Sequence, residues 1–316
     1  MPGGSKTVDV VAVTSFNSGT FSLKRMYIKH KNFVIGHTDS NFCNGDAYPK
    51  TCGAPSSAVF SKRGPQLTWK LEPIEGVSYA VGVEKSSHPF IADEKVRKQK
   101  FQHVVPSENI PALTANVRYS NDLGHIQLGT LLRVYDFYHS KKGEEKTVMN
   151  PTGGANLSGV YNVVPKKTIV KASLVIGSGI ASWILDFAVM PKTAYKDVYF
   201  APKGKDLGAI EQLVAWGGFV GVEHYWMPEK FYSVLVLNAL GTYDNDKREA
   251  GAYKGGVSAA LSTTYKPIKP ISMSIEWEIG RKYVVKEEEF LKNVDKSNVS
   301  KNAHRITGIL KYSLAS

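Results

Sequence analysis

Residues 118–138 read RYSNDLGHIQLGTLLRVYDFY, and the fold turns on this stretch. It reads as two alternating strands joined by the tight turn Asn121-Asp122-Leu123-Gly124. Up to the turn, Leu113, Ala115, Val117 and Tyr119 share one face, while Thr114, Asn116, Arg118 and Ser120 share the other. Beyond it, Ile126, Leu128, Leu132 and Val134 fall together, with His125, Gln127, Arg133 and Tyr135 opposite. Successive strand residues point to opposite sides, so one face of this hairpin is apolar and the other hydrogen-bonding or charged. A soluble sandwich with water on its polar side has the same local pattern. What differs is the extent: the alternation recurs almost to the end of the chain, and no stretch reads as a core helix. That is the pattern of one large sheet closed on itself.

The chain has 316 residues, a length that favours two soluble domains. No boundary is visible, since there is no Pro- or Ser-rich linker, no low-complexity tract and no change of periodicity. The expectation is a single domain over residues 1–316. No run approaches the ~18–20 apolar residues of a spanning helix. Mean hydropathy is slightly negative, but a membrane barrel hides its apolar half in alternation. The start, MPGGSKTVDV, lacks the regions of a secretory signal. Either the protein is not exported, or this is a mature or trimmed form; a membrane barrel requires the second.

Strand-like stretches cover residues 8–15, 20–30, 33–40, 65–71, 77–86, 112–120 and 125–139. They continue over 155–163, 168–176, 213–226, 231–240, 256–265, 271–282 and 305–314. Most are long enough to cross a bilayer at a strong tilt. Short connections (72–76, 165–167, 227–230, 266–270) alternate with long ones (41–64, 87–111, 177–212, 284–304). Short turns at one rim and long loops at the other are the organisation of an outer-membrane barrel. Trp69, Trp216 and Trp277 are in phase with neighbouring Leu, Val and Ile residues, which assigns them to the outer face or the membrane boundary.

The same phase assigns Lys24, Lys70, Arg118, Arg133, Lys171 and Lys311 to the interior, with Glu84, Glu223, Glu276 and Glu278 facing them. Any single one of these can instead be a rim residue solvated at a loop end. Net charge agrees in sign: 40 Lys plus Arg against 28 Asp plus Glu, or +12. No basic helix, RNP-like motif or zinc knuckle accompanies that charge, which argues against nucleic acid as a partner. In a narrow pore, cationic side chains concentrate anions and lower their entry barrier. The expectation is a passage for small anionic solutes, with Arg118 and Arg133 on one basic track.

Residues 41–64 carry Asp46, Lys50, Lys62 and Arg63, and both cysteines, Cys43 and Cys52. The loop's length and its place after an early strand point to a segment folded into the barrel as a constriction. The two cysteines are too few for a metal site, and the loop has no histidine. Free thiols remain open; in an oxidising compartment a Cys43–Cys52 disulfide is favoured, stabilising by roughly 2–3 kcal/mol. Gly177-Ser-Gly-Ile lacks the rest of a dinucleotide fingerprint and reads as a strand-end turn. There is no HExxH, P-loop or GxSxG. Nothing suggests an enzyme, a cofactor or a metal.

Several motifs in order resemble those of the DcaP-like trimeric outer-membrane porins of Gram-negative bacteria. They are Phe21-Ser-Leu-Lys-Arg-Met-Tyr, Phe33-Val-Ile-Gly-His-Thr-Asp-Ser, Gly64-Pro-Gln-Leu-Thr-Trp and the hairpin 118–133. Asn156-Leu-Ser-Gly-Val-Tyr, Gly177-Ser-Gly-Ile-Ala-Ser-Trp-Ile-Leu-Asp, Trp216-Gly-Gly-Phe-Val-Gly-Val-Glu-His-Tyr-Trp, residues 276–281 and Lys311-Tyr-Ser-Leu complete the series. The resemblance spans roughly residues 8–314. It implies a homotrimer of barrels in outer-membrane lipid, an inward loop at 41–64, and diffusion of carboxylate-bearing solutes along basic residues. Three features depart from it. About fourteen strands are visible, where porins commonly have ~16; the last residues are Leu314-Ala-Ser rather than an aromatic; and the cysteine pair is outside the pattern. The competing function is a soluble or surface-exposed β-protein for binding or adhesion, working through its long loops. A barrel needs detergent for extraction, and a soluble binder does not.

Overall fold

The computed structural model describes residues 8–17, 20–53, 55, 57–58, 63–85, 103–106, 110–141, 144–189, 197–203, 206–243, 251–285 and 302–313. In chain order the strands are β1 (Val8–Asn17), β2 (Thr20–His30), β3 (Phe33–Asp39), β4 (Arg63–Ile74), β5 (Val77–Glu84) and β6 (His103–Pro106). There follow β7 (Ala112–Asn121), β8 (Gly124–Lys141), β9 (Glu144–Val164), β10 (Thr168–Ser178), β11 (Val198–Lys203) and β12 (Asp206–Gln212). The last are β13 (Val214–Met227), β14 (Phe231–Thr242), β15 (Tyr253–Ile268), β16 (Ile271–Val284) and β17 (Asn302–Tyr312). All except β6, β11 and β12 run in one antiparallel path, β1-β2-β3-β4-β5-β7-β8-β9-β10-β13-β14-β15-β16-β17. The fourteen strands of this path match the fourteen stretches read from the sequence, in the same order. Three strands were not anticipated: β6, which pairs with β8, and the separate hairpin β11–β12. All three lie in segments read as long loops.

One rim carries short turns. Short turns join β2 to β3, β4 to β5, β7 to β8, β9 to β10, β13 to β14 and β15 to β16. Three of them hold a left-handed non-glycine residue: Lys31 (φ 50), Lys166 (φ 60) and Glu229 (φ 60). Such φ values match the twist of tight hairpins. The long connections 40–62, 85–111, 179–213 and 285–301 leave from the other rim.

Directly opposed residues in an antiparallel pair share a face, so the register carries one apolar row around the sheet. Leu128 opposes Leu157, which opposes Leu174; Val220 opposes Leu237, and Leu261 opposes Trp277. These side chains are exposed, as are Ile35, Leu67, Trp69 and Ile306. Trp69, Trp216 and Trp277 all lie in this outward phase. An apolar surface of this extent, unbroken across the strands, fits lipid and not water. No described helix is long and apolar enough to cross a membrane. The opposite face carries Thr68, Thr114, Gln127, Asn156, Ser158, Lys171, Ser173, Glu223 and Glu276, all buried. One loop touches this face on strands from β4 to β16, as described below, so the sheet curls around that loop as a barrel. Among the described residues β1 and β17 are the two ends of the sheet and pair with one neighbour each.

Candidate functional site: the channel constriction

Residues 40–58 leave β3 and cross the interior from one wall to another. Asn41 makes the first contacts. Its backbone N–H donates to Glu84 Oε1 at 3.1 Å, and its side-chain amide donates to the hydroxyls of Thr68 (3.1 Å) and Thr114 (3.2 Å). Its carbonyl accepts from Asn116 Nδ2 at 2.8 Å. The Phe42 carbonyl accepts from Asn156 Nδ2 at 3.0 Å, and the Cys43 carbonyl from Gln127 Nε2 at 3.3 Å. A Cβ on Gly129 would stand 2.9 Å from the Phe42 carbonyl oxygen, so β8 needs glycine where the loop passes.

Arg118 holds the turn that follows. Its guanidinium donates to Gln127 Oε1 (2.9 Å), Asn44 Oδ1 (2.8 Å) and Asp46 Oδ2 (2.9 Å). Asn44 donates to Ser158 Oγ at 3.0 Å and meets His125 Nε2 at 3.1 Å. A short 3-10 turn, Gly45–Ala47, then leads to the opposite wall. There Lys171 Nζ donates to the Tyr48 carbonyl at 2.9 Å and pairs with Glu223 Oε1 at 3.0 Å. Glu223 is fully buried; it accepts the Lys50 N–H at 2.9 Å and the Tyr225 hydroxyl at 3.1 Å. Lys50 Nζ donates to the Tyr225 oxygen at 2.6 Å. The Cys52 N–H donates to Glu276 Oε2 at 2.8 Å. Ser57 Oγ returns the loop to β13 through the Gly218 carbonyl at 2.8 Å.

Three loop groups are shifted. Burial pushes the Tyr48 hydroxyl well above its ordinary range. Burial also raises the Cys52 thiol, with Glu276 adding to it against the Ser262 hydrogen bond. Burial pulls Lys50 down, but the Tyr225 hydrogen bond and the Glu223 charge outweigh it, and the net shift is upward.

A second segment, 179–189, also lies inside. β10 ends at Ser178, and Gly179 adopts φ 63, so the GSG sequence is the strand-end turn expected of it. Beyond it come a 3-10 turn, Ala181–Trp183, and a short helix, α1 (Leu185–Val189). Ile180, Trp183, Ile184 and Phe187 pack with Phe42, Leu131, Leu213 and Tyr253 in one buried apolar cluster. The Phe42 and Trp183 rings meet edge to face at 5.4 Å. Asp197 pins this segment: it accepts from Ser182 N (2.7 Å), Ser182 Oγ (2.6 Å), Tyr135 OH (2.7 Å) and Arg133 Nη2 (2.7 Å).

These contacts revise several expectations. Arg133 is on the polar face as expected, but it is 3% exposed and tied to Asp197, so it is a strut under the second segment and not part of an open track. Arg118, Lys171, Glu223 and Glu276 are inside, and each grips the loop. Cys43 and Cys52 are not joined in a disulfide. The physical reason is the loop's path: Cys43 is fixed to β8 through Gln127, whereas Cys52 Sγ is 3.9 Å from Ser262 Oγ on β15. Arg63 belongs to β4 and pairs with Asp39 at 2.8 Å, at the base of the loop. Lys62 lies outside the described residues. Lys24 is the extra residue of a bulge between β1 and β2, exposed and without a register partner. Lys70 opposes buried Ala80, which puts it in the inward phase of β4. Lys311 opposes Ser272, on the face of Glu276.

Sequence reasoning missed the neutral anchors, Asn41 and Asn44 on the loop and Thr68, Thr114, Gln127, Asn156 and Ser158 on the wall. Alternation alone gives them the look of water-facing residues. It also missed the second segment, although Ile180-Ala-Ser-Trp-Ile-Leu-Asp-Phe is too apolar for a solvated loop.

Glu223→Gln keeps an acceptor for the Lys50 N–H and removes the charge facing Lys171. The loop is expected to loosen, giving larger and noisier single-channel currents in planar bilayers; unchanged current noise would exclude Glu223 as an anchor.

An antiparallel barrel with an apolar exterior, long loops at one rim and one of them folded inward is the architecture of an outer-membrane porin. The solved structures agree. The outer membrane channel DcaP of Acinetobacter baumannii is similar at a TM-score of 0.69, with 21% identity over 97% of this chain and 79% of that one. An anion-selective porin from Comamonas acidovorans is similar at 0.51, with 10% identity over 84% and 70% of the two chains. OmpT, an outer membrane protein of Vibrio cholerae, is similar at 0.51, with 10% identity over 98% and 86%. No protein-family profile and no curated protein sequence matches the chain. At these identities the likeness establishes the porin fold.

Proposed function

We propose that the chain is an outer-membrane diffusion porin, working as a homotrimer in outer-membrane lipid, that passes small carboxylate-bearing anions. The observation that carries this is how the interior acids are used. Glu84, Glu223 and Glu276 each accept a backbone N–H of the loop, and Glu278 and Asp46 pair with Arg305 and Arg118. Lys70, Lys266 and Lys311 take part in none of the described ion pairs. The acids hold the loop in place, and the excess charge left to the solute path is positive. Contacts of this kind are weak and exchangeable, so a solute leaves as readily as it enters.

The test is the reversal potential of single channels in a salt gradient, which is expected to show preference for chloride over potassium. Arg118→Gln is expected to lower that preference. One unit charge at about 5 Å in water is worth about 0.8 kcal/mol, so the change is up to about fourfold. Arg118→Lys keeps the charge and loses the fork that grips Asn44 and Asp46, which separates selectivity from loop anchoring. A parent channel without anion preference, or an Arg118→Gln channel with the parent reversal potential, would count against this function. Light scattering of the detergent-solubilised protein tests the trimer.

A further inference from the structure

At the short-turn rim the inward faces of β13, β14 and β15 bring Tyr225, Tyr232 and Lys266 together, and the inward loop adds Lys50. The two rings lie 5.2 Å apart, tilted by 32°. Lys50 Nζ stands 5.2 Å from the centre of the Tyr225 ring, and Lys266 Nζ stands 5.7 Å from the centre of the Tyr232 ring. One ammonium, Lys266 on the wall, is therefore held over the Tyr232 ring, and the other, Lys50 on the loop, at the hydroxyl edge of Tyr225. The Tyr232 ring quadrupole holds one head and the Tyr225 hydroxyl the other, and neither neutralises the charge. An ammonium has three donors, and Lys50 uses one on the Tyr225 oxygen. The carboxylate acting on Lys50 is Glu223, already engaged with Lys171, the Lys50 N–H and the Tyr225 hydroxyl. Neither Lys50 nor Lys266 belongs to a described ion pair. Hydroxyls line the neighbouring wall: Thr264 opposes Tyr232 and meets Ser274 at 2.8 Å.

We propose that Lys50 and Lys266, seated on Tyr225 and Tyr232, form a binding subsite for phosphate-type dianions at the short-turn mouth of the channel. Lysine acts as a compact point charge with rotatable donors, where arginine offers a planar fork suited to carboxylates. The guanidinium of Arg118 is already spent on Gln127, Asn44 and Asp46. Two point charges held at neighbouring tyrosines, outside the described ion pairs, fit a small tetrahedral ion that carries two charges and presents oxygens in several directions. The subsite rests on the anion-passing function proposed above and adds a preference among anions.

The probe is inorganic phosphate, added to single channels carrying chloride in dilute salt at a pH where phosphate is dianionic. Dilute salt keeps the site unscreened. Phosphate is expected to reduce the chloride current saturably, and acetate at matched ionic strength to do so far less. Lys50→Gln with Lys266→Gln should raise the half-blocking phosphate concentration by about tenfold, or 1.4 kcal/mol. Lys269→Gln, in the adjoining turn, removes the same charge and should leave the block in place. If the double variant fails to give the heat-modifiable band of a folded barrel, Lys266→Gln on the wall is measured alone, with a partial loss expected. Phosphate no more effective than acetate, or a Lys269→Gln shift as large as that of the paired variant, overturns the subsite. The salt-gradient reversal potential of the parent is read in the same recordings. If that shows anion preference while phosphate fails to block, the subsite is rejected and the anion porin stands; if it shows none, the porin function itself fails.

Discussion

Asp197→Ala is expected to lower the stability of the folded barrel by about 3–5 kcal/mol, because it strands a buried guanidinium. The side chains of Arg133 and Asp197 are 1% and 0% exposed, and their contact is 2.7 Å. Asp197 also collects both polar groups of Ser182 and the Tyr135 hydroxyl, so its loss breaks the attachment of segment 179–189 at several points. Asp197→Asn keeps one acceptor oxygen, enough for the Ser182 and Tyr135 hydroxyls, but turns its NH2 toward the Ser182 N–H and loses the charge, and should fall between parent and alanine variant. Denaturant unfolding in detergent or lipid reads the order. Trp183 of this segment packs on Phe42 of the constriction loop, so Asp197→Ala channels should also be noisier. An alanine variant as stable as its parent would show that the pair contributes nothing to the fold.

Leu237→Arg tests the outer face. Leu237 is near the middle of β14, 56% exposed, and opposes Val220 in the outward row. In a bilayer an arginine at that depth costs about 2–4 kcal/mol, and near the interface only about 0–1. Tyr243, just beyond the end of β14 and 60% exposed, supplies the shallow comparison. Leu237→Arg should be destabilised clearly more than Tyr243→Arg when both are unfolded from lipid vesicles. On a soluble binding protein both sites face water, and the two substitutions would cost little and about equally. Equal costs in vesicles would therefore remove the membrane assignment while leaving the sheet intact.

The hairpin 118–138 shows what was legible. Its phase, its turn and its neighbours appear as read: Tyr119 opposes Ile126 on the apolar side, and Arg118 opposes Gln127 on the polar side. Periodicity of two is a local property, and each strand carries it independently of its partners. The inward loop was legible from its length and position, and its acidic and basic receivers from their phase. The anchors at Asn41, Asn44, Asn156 and Ser158 were not, because a neutral amide or hydroxyl on a polar face carries no mark of the partner it will meet. The cysteine pair misled for a related reason: closeness in sequence says nothing about a loop that stretches from one wall to another.

The sequence alone determined the strand order, the two faces, and the alternation of short turns and long loops. These follow from residue chemistry and a backbone that turns each successive side chain over. Tertiary structure decided what each inward side chain does. Arg118 and Arg133 are the same residue type, in the same phase of one hairpin, yet one grips the loop through Asp46 and the other is buried against Asp197. The anchors that settle such differences join residues from 27 to 224 positions apart. A contact of that range exists only once the sheet has curled around the loop, and local pattern carries no term for it.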